Sequence, residues 1–204
     1  MIKTGDKKTC CGCSACKNAC PYGAISMERD ALGFEYPAVD EDICTGCGVC
    51  EKVCGFLSPA LNPEGTATGA RLKDPAGLMA SQSGGAFAAI SDIILADGGA
   101  GWGAAFNDDF SVAHRKAGTK SERDAFRGSK YVQSSLGDCY RDIMNDLDNG
   151  RKVLFSGTPC QVNGLISIAG NHPGLYTTDI ICHGVPSPEV WKAYLGLMEK
   201  EAGS

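Results

Sequence analysis

Apolar positions over residues 86–96 recur at helical spacing: Phe87, Ile90, Ile93 and Ile94 fall on one side of a 3.6-residue repeat. Ser81-Gln82-Ser83-Gly84-Gly85 precedes them and Gly98-Gly99 follows, so a glycine-bearing loop opens the predicted helix and glycines close it. A strand is predicted over 101–106, ending in the turn Asn107-Asp108-Asp109. Residues 138–147 read as another helix, followed by a buried strand at 152–155 and the loop Ser156-Gly157-Thr158-Pro159-Cys160. A strand at 176–181 and a helix at 188–200, with Pro188 in its first turn, complete the series. Helices alternating with short apolar strands predict α/β layers.

The N-terminal part is patterned differently. Residues 24–27 and 34–39 flank a polar turn containing Gly33 and read as a hairpin. Pro59, Pro63, Gly65, Gly69 and Pro75 then punctuate a stretch with little periodicity, apart from an extended piece near 66–72 that leads into a first strand. The predicted organisation is α+β: a small module over 1–58, a linker over 59–74, and a second domain over 75–204.

Composition changes the picture of the first module. The chain has 204 residues and 12 cysteines, nine of them between Cys10 and Cys54. Cys10, Cys13, Cys16 and Cys20 recur as Cys44, Cys47, Cys50 and Cys54, each shifted by 34 positions, which makes the module an internal repeat. Cys-x2-Cys-x2-Cys-x3-Cys-Pro, ending at Pro21, is the spacing of a bacterial [4Fe-4S] ferredoxin run, whose fourth cysteine ligates the other cluster. Three closely spaced thiolates wrap one corner of a cubane, and the fourth ligand reaches the opposite iron from another segment. The expected sets are therefore Cys10, Cys13, Cys16 and Cys54 for one cluster, and Cys20, Cys44, Cys47 and Cys50 for the other. Paired CxxC units also make zinc sites, but a zinc site has no use for the third cysteine of each run. Gly12, Ser14, Ala15, Gly46 and Gly48 leave room for an inorganic core. The second run ends in Gly55 rather than proline. Cys11 lies outside both sets and reads as a bystander near a cluster, and Cys139 as a small buried residue.

A net charge of -5 with no basic stripe excludes nucleic acid as the expected partner. The longest apolar stretch, 86–96, is interrupted by Ser91 and Asp92 and too short to span a bilayer. The first residues show no apolar run of a secretory signal, so a cytoplasmic protein is expected, in which dense cysteines are metal ligands rather than disulfides. Ser83, Gly84 and Gly85 stand where a helix N-terminus offers amides to a pyrophosphate, or form a simple capping turn. His114 and His172 read as surface loop residues, and His183 as structural.

Four further motifs resemble a known family: Ser81-Gln82-Ser83-Gly84-Gly85, Arg127-Gly128-Ser129-Lys130-Tyr131-Val132-Gln133-Ser134, Gly157-Thr158-Pro159-Cys160-Gln161 and Cys182-His183-Gly184-Val185-Pro186-Ser187. Together, from about residue 70 onward, they are similar to the coenzyme F420 hydrogenase/dehydrogenase beta-subunit family, here with a fused ferredoxin module. The resemblance implies an incomplete α/β flavin-binding domain that binds FAD and passes electrons between iron-sulfur clusters and a two-electron carrier such as F420. It places Lys130 and Tyr131 beside the flavin, and Thr158 and Gln161 near its ring or the cluster sulfurs. It also matches Cys160 and Cys182 to two ligands of a third [4Fe-4S] cluster, whose other two come, in the family, from a CxxC farther along than Ser204. A redox partner protein or hydride carrier is the expected partner, and apolar surface left by an incomplete domain predicts association. The rival expectation is a flavin-free electron-transfer adaptor.

Overall fold

The computed structural model describes residues 2, 7–57 and 65–203. Of the linker expected over 59–74, residues 59–64 lie outside the described residues, as does Ser58.

The first module contains helix α1 (Ala15–Ala19), the strands β1 (Ile25–Arg29) and β2 (Glu35–Val39), and helix α2 (Val49–Lys52). β1 and β2 form the expected antiparallel hairpin, in register from Ile25 opposite Val39 to Arg29 opposite Glu35. Asp30 closes its turn by accepting the Leu32 and Phe34 amides, and Gly33 takes a left-handed conformation that a side chain would resist. The core of this module is small: Cys16, Ile25 and Cys50, with Ile2, Cys20 and Val39 packed against them. So few apolar side chains do not stabilise a fold of this size without a staple.

The second region is built on a four-stranded sheet in the order β4-β3-β5-β6, formed by β3 (Ala100–Phe106), β4 (Val112–Ala117), β5 (Val153–Gly157) and β6 (Leu175–Asp179). β3, β5 and β6 run parallel, and β4 pairs antiparallel with β3 as an edge hairpin. Helix α3 (Pro75–Met79) precedes α4 (Ala86–Ala96); α4 and α5 (Lys120–Asp124) pack by β3 and β4, whereas α6 (Cys139–Asp148) and α7 (Pro159–Ala169) pack by β5. Helix α8 (Pro188–Ala202) follows β6 and has no buried residue. The centre is the continuous apolar run Val153-Leu154-Phe155, fully buried as expected of a strand inside a parallel sheet. Ala15 of α1 and Val53 beside α2 belong to the same buried cluster as Tyr140, Phe155 and Leu165. The cysteine-rich module is thus packed onto α6 and α7.

Several expectations need correction. The extended piece near 66–72 is not a strand; its Leu72 amide bonds the Gly84 carbonyl at 2.7 Å, and Asp74 then caps α3. The loop after β5 is a single residue, Thr158, because Pro159 starts α7 directly. The hydrophobic face of α4 also differs from the one its periodicity predicts: Ala88, Ser91 and Ile94 are buried, while Ile93 is 67% exposed. Arg123 causes this. Its guanidinium, 1% exposed, crosses α4 and donates to the Ala88 carbonyl, Ser91 Oγ and Asp92, which requires small residues on that face. His114 is not on a surface loop but on β4, 8% exposed and stacked on Phe155.

Candidate functional site

The two cysteine runs repeat in backbone conformation as well as in spacing. Gly12 and Ser14 in the first run and Gly46 and Gly48 in the second all have positive φ, and the two pairs are related by the same 34-position shift. Alternating left-handed residues turn successive amides toward one side of a loop, as anion-binding nests do. Ser14 is a side-chain-bearing member of this set, at φ 58°. A side chain at Gly12 would meet the Glu35 carbonyl oxygen at 2.6 Å, so the hairpin packs directly on the first loop.

The sulfurs sort into groups that mix the two runs. Cys20 lines a small cavity together with Cys44, Cys47 and Cys50; Gly46, Gly48 and Pro21 form part of its wall. Cys10 and Cys54 lie within electrostatic reach of each other, and Cys16 senses both, with Cys50 as well. Burial, reinforced by these neighbouring sulfurs, pushes the Cys16 thiol up to about 12. Among the described residues, no three His, Cys, Asp or Glu side chains are placed to hold a single metal ion. The first run therefore gives Cys20 to a void surrounded by the second, and the second gives Cys54 to the neighbourhood of Cys10 and Cys16.

Cys13 faces the second region. A Cβ at Gly164, in the middle of α7, would stand 3.3 Å from Cys13 Sγ, Ala15 Cβ and Tyr140 Oη alike. The missing side chain lets α7 approach the first cysteine loop. Tyr140 is fully buried and donates to the Gln161 carbonyl at 2.8 Å. Cys11, a bystander by sequence, is a free thiol within hydrogen-bonding reach of Cys13 on one side and Cys160 on the other. Contact with Cys13, partly offset by Cys160, and then burial push Cys11 up to about 12. The Cys160 thiol is raised as well, first by Cys11 and then by burial, and contacts Thr158 Oγ1 at 3.1 Å. Cys182 lies in the irregular segment beyond β6, partly buried. Cys139 is buried at the start of α6.

The four motifs of the second region converge. Gln82 Oε1 accepts the Ser129 amide at 3.1 Å, Gln161 Nε2 donates to Ser134 Oγ at 2.9 Å, and the Gln133 amide donates to the Pro186 carbonyl at 3.3 Å. The segment 127–134 is therefore the hub for the other three. Sequence reasoning missed His114, which extends this network from β4. Its Nε2 lies 3.1 Å from the Ser156 carbonyl, which can only accept, so Nε2 carries the proton; Nδ1 then accepts from Ser134 Oγ at 3.1 Å. Burial holds this imidazole neutral by lowering its pKa to about 4. Gln161 Oε1 completes the chain by accepting the Thr158 amide at 3.0 Å. Val112-Ala113-His114-Arg115-Lys116-Ala117 has no period-2 alternation, so no local pattern marked this strand or the burial of its histidine.

Other candidates are placed less openly than expected. Gly85 caps α4 in a left-handed conformation, but a side chain there would meet Leu72 at 2.5 Å, and one at Gly84 the Ala70 carbonyl at 2.3 Å. Both glycines are explained by the chain packing over them; Ser83 stays exposed. Lys130 donates to the Ala125 and Arg127 carbonyls at 2.8 and 2.9 Å, and burial lowers its ammonium pKa to about 8. Tyr131 is 76% exposed. Gln133 Oε1 and Thr178 Oγ1 are two of five buried polar atoms without a hydrogen-bond partner among the described residues. Thr178 lies near the carboxyl end of β6, and the carboxyl ends of parallel strands are where open sheets bind ligands.

Comparison with known proteins matches residues 9–56 to a 4Fe-4S dicluster domain, and residues 150–203 to the C-terminal part of the coenzyme F420 hydrogenase/dehydrogenase beta-subunit family. No curated protein matches. A solved structure, the xenon-derivatised F420-reducing [NiFe] hydrogenase complex from Methanosarcina barkeri, contains a chain of similar fold, at a TM-score of 0.51 and 22% identity. The match covers 66% of the present chain, which spans about half, 48%, of that one.

Proposed function

We propose that this chain, which joins a 4Fe-4S dicluster domain to a coenzyme F420 hydrogenase/dehydrogenase beta-subunit region, is part of an electron-transfer oxidoreductase and relays electrons between two [4Fe-4S] clusters, FAD and a two-electron carrier. The observation that carries the reading is the mixing of the two runs around separate sites, with the first loop packed against α7. Cys10, Cys13, Cys16 and Cys54 hold one cluster, and Cys20, Cys44, Cys47 and Cys50 the other. The donor chemistry fits: four thiols around a cavity lined by glycines and apolar side chains suit a bulky anionic core and its amide hydrogen bonds.

For FAD the fit rests on the converging motifs and on the unpaired Gln133 Oε1 and Thr178 Oγ1, polar atoms that a ligand would satisfy. Ser83, exposed beside Gly84 and Gly85, and the first-turn amides of α4 would take the pyrophosphate. Lys130 and Tyr131 would border the ring, and Thr158 and Gln161 hold the turn beneath it. Bound there, a flavin accepts a hydride in one step and releases electrons singly, which matches a two-electron carrier to one-electron clusters. The carrier is a deazaflavin such as F420 or an equivalent hydride donor, and the other partner a redox protein, in an assembly located in the cytoplasm. Cys160 and Cys182 would supply two of the four ligands of a third cluster, and in this structure the Cys160 thiol is turned to Cys11 and Thr158 instead.

A second reading, a flavin-free adaptor, is favoured by one observation: Lys130 and Gln161 already direct two and one of their donors, respectively, to the chain's own oxygens. Anaerobic purification with iron, sulfide and acid-extracted flavin counted per chain separates the readings. About eight irons and eight sulfides with one FAD support the proposal. The same iron without flavin leaves the adaptor, and zinc in place of iron overturns both.

A further inference from the structure

Arg141, in the first turn of α6, is bonded almost entirely to the other module. Its Nε donates to the Asn18 carbonyl at 3.0 Å, and its Nη2 to the carbonyls of Lys17 and Cys20, each at 3.0 Å. Its backbone amide donates to Asn18 Oδ1 at 3.3 Å. Asn18 is buried, and its Nδ2 returns the tie by donating to the Gly137 carbonyl at 3.1 Å, just before α6, and to the Ser14 carbonyl at 3.0 Å. Lys17 adds an ion pair with Asp138 at 3.2 Å. One side chain thus bonds three carbonyls at the end of α1, two of which, those of Lys17 and Cys20, also accept the Cys20 and Gly23 amides in long turn bonds of 3.3 and 3.4 Å. A guanidinium suits this place because it is always charged and presents several donors in one rigid plane.

The location matters more than the bonds. Cys20 is the residue of the first run that faces the cavity of Cys44, Cys47 and Cys50. A fixed positive charge therefore stands on the backbone of the segment that crosses from one cluster site to the other. Reduction adds an electron to a cluster, so a nearby cation favours the reduced form and raises the potential.

We propose that Arg141 is a positioning residue of the relay: it fixes the Cys20 segment against the second region and holds the potential of the Cys20-bearing cluster above the value that cluster has without the charge. The inference rests on the two-cluster reading. Arg141 itself is solvent-exposed, so the effect is modest and screened by salt.

The test is an EPR-monitored redox titration of the anaerobic full chain at low and high salt, with iron and sulfide counted first. Arg141→Gln, which keeps donors and removes the charge, is expected to retain its iron and to lower one of two midpoints. The shift corresponds to about a threefold change in the oxidised-to-reduced ratio at fixed potential, or about 28 mV for a one-electron couple, and it shrinks at high salt. Arg141→Lys restores the midpoint. Iron retained in Arg141→Gln with both midpoints unmoved overturns the proposal. If Arg141→Gln and Arg141→Met both lose iron while Arg141→Lys keeps it, positioning by the cation is supported; loss from all three overturns the role of the charge. Wild-type protein without iron and sulfide removes the cluster reading itself, an outcome distinct from unchanged midpoints.

Discussion

The two regions solve the problem of holding a fold together by different means. Around the sheet, Val153, Leu154, Phe155, Ile143 and Leu165 are all fully buried, and apolar burial supplies the driving force. In the dicluster module the buried cluster consists of Cys16, Ile25 and Cys50, so two of its three side chains are cysteines, which we propose as cluster ligands. Its loops hold left-handed conformations at Gly12, Gly46 and Gly48, which glycine adopts without penalty, and at Ser14, where the side chain makes it costly. On the proposed cluster reading, the difference teaches that metal binding would supply folding free energy to the first region, while the sheet carries its own apolar core. Docking of α1 on α6 and α7 then lends the weaker region part of the stronger one's core through Ala15 and Val53.

The largest effect should come from removing iron. Chelation under denaturant-free conditions is expected to abolish hydrogen-exchange protection over 7–57 while the amides of β3 and β5 stay protected. Equal loss in both regions would break this division between them. Phe155→Ala attacks the other side of the comparison. It should cost about 3–5 kcal/mol, read as a lower denaturant midpoint for the sheet, because Phe155 is fully buried against Tyr140 and His114.

His114 sharpens the contrast through pH. Its pKa is about 4 when folded against about 6.5 unfolded. The unfolded chain therefore binds more protons between these values, and stability falls as pH drops from about 6.5 toward 4. The loss should reach about 2 kcal/mol at pH 5, and Arg, Lys and carboxylate groups common to both proteins cancel when His114→Gln is compared with wild type. A variant that keeps the full acid slope would show that this imidazole is not buried neutral. Gly164→Ala probes the seam between the regions. The added methyl must push aside Cys13, Ala15 or Tyr140 at 3.3 Å, an overpacking cost of about 1–3 kcal/mol. It should appear as faster loss of iron at unchanged unfolding of β5.

The smallest effect is expected at Cys11. Cys11→Ser should leave the iron content at about eight per chain, whereas Cys47→Ser lowers it. A drop in iron with Cys11→Ser would place Cys11 among the ligands.

How much was legible in the sequence follows from what each signal depends on. The cysteine spacing, the hairpin around Gly33 and the helices 86–96 and 188–200 rest on local chemistry and short-range periodicity, and each element appears where the pattern places it. The strand at 152–155 was readable because a run buried on both faces is apolar throughout. Helix α7 was hidden by the turn-like string Gly157-Thr158-Pro159, since Pro at the first position of a helix and Pro in a loop read alike.

What the sequence by itself determined is the dicluster module: eight cysteines in two offset runs carry their meaning in spacing, which needs no partner. Only the tertiary structure decided which face of α4 is buried, since that depended on a charged side chain from α5 crossing it. It also decided that His114 is a neutral core residue, that Cys11 meets Cys160 across 149 positions, and that Arg141 clamps the end of α1. These are contacts between residues far apart in the chain, and no local pattern encodes them, because their energy exists only once the chain has folded to bring them together.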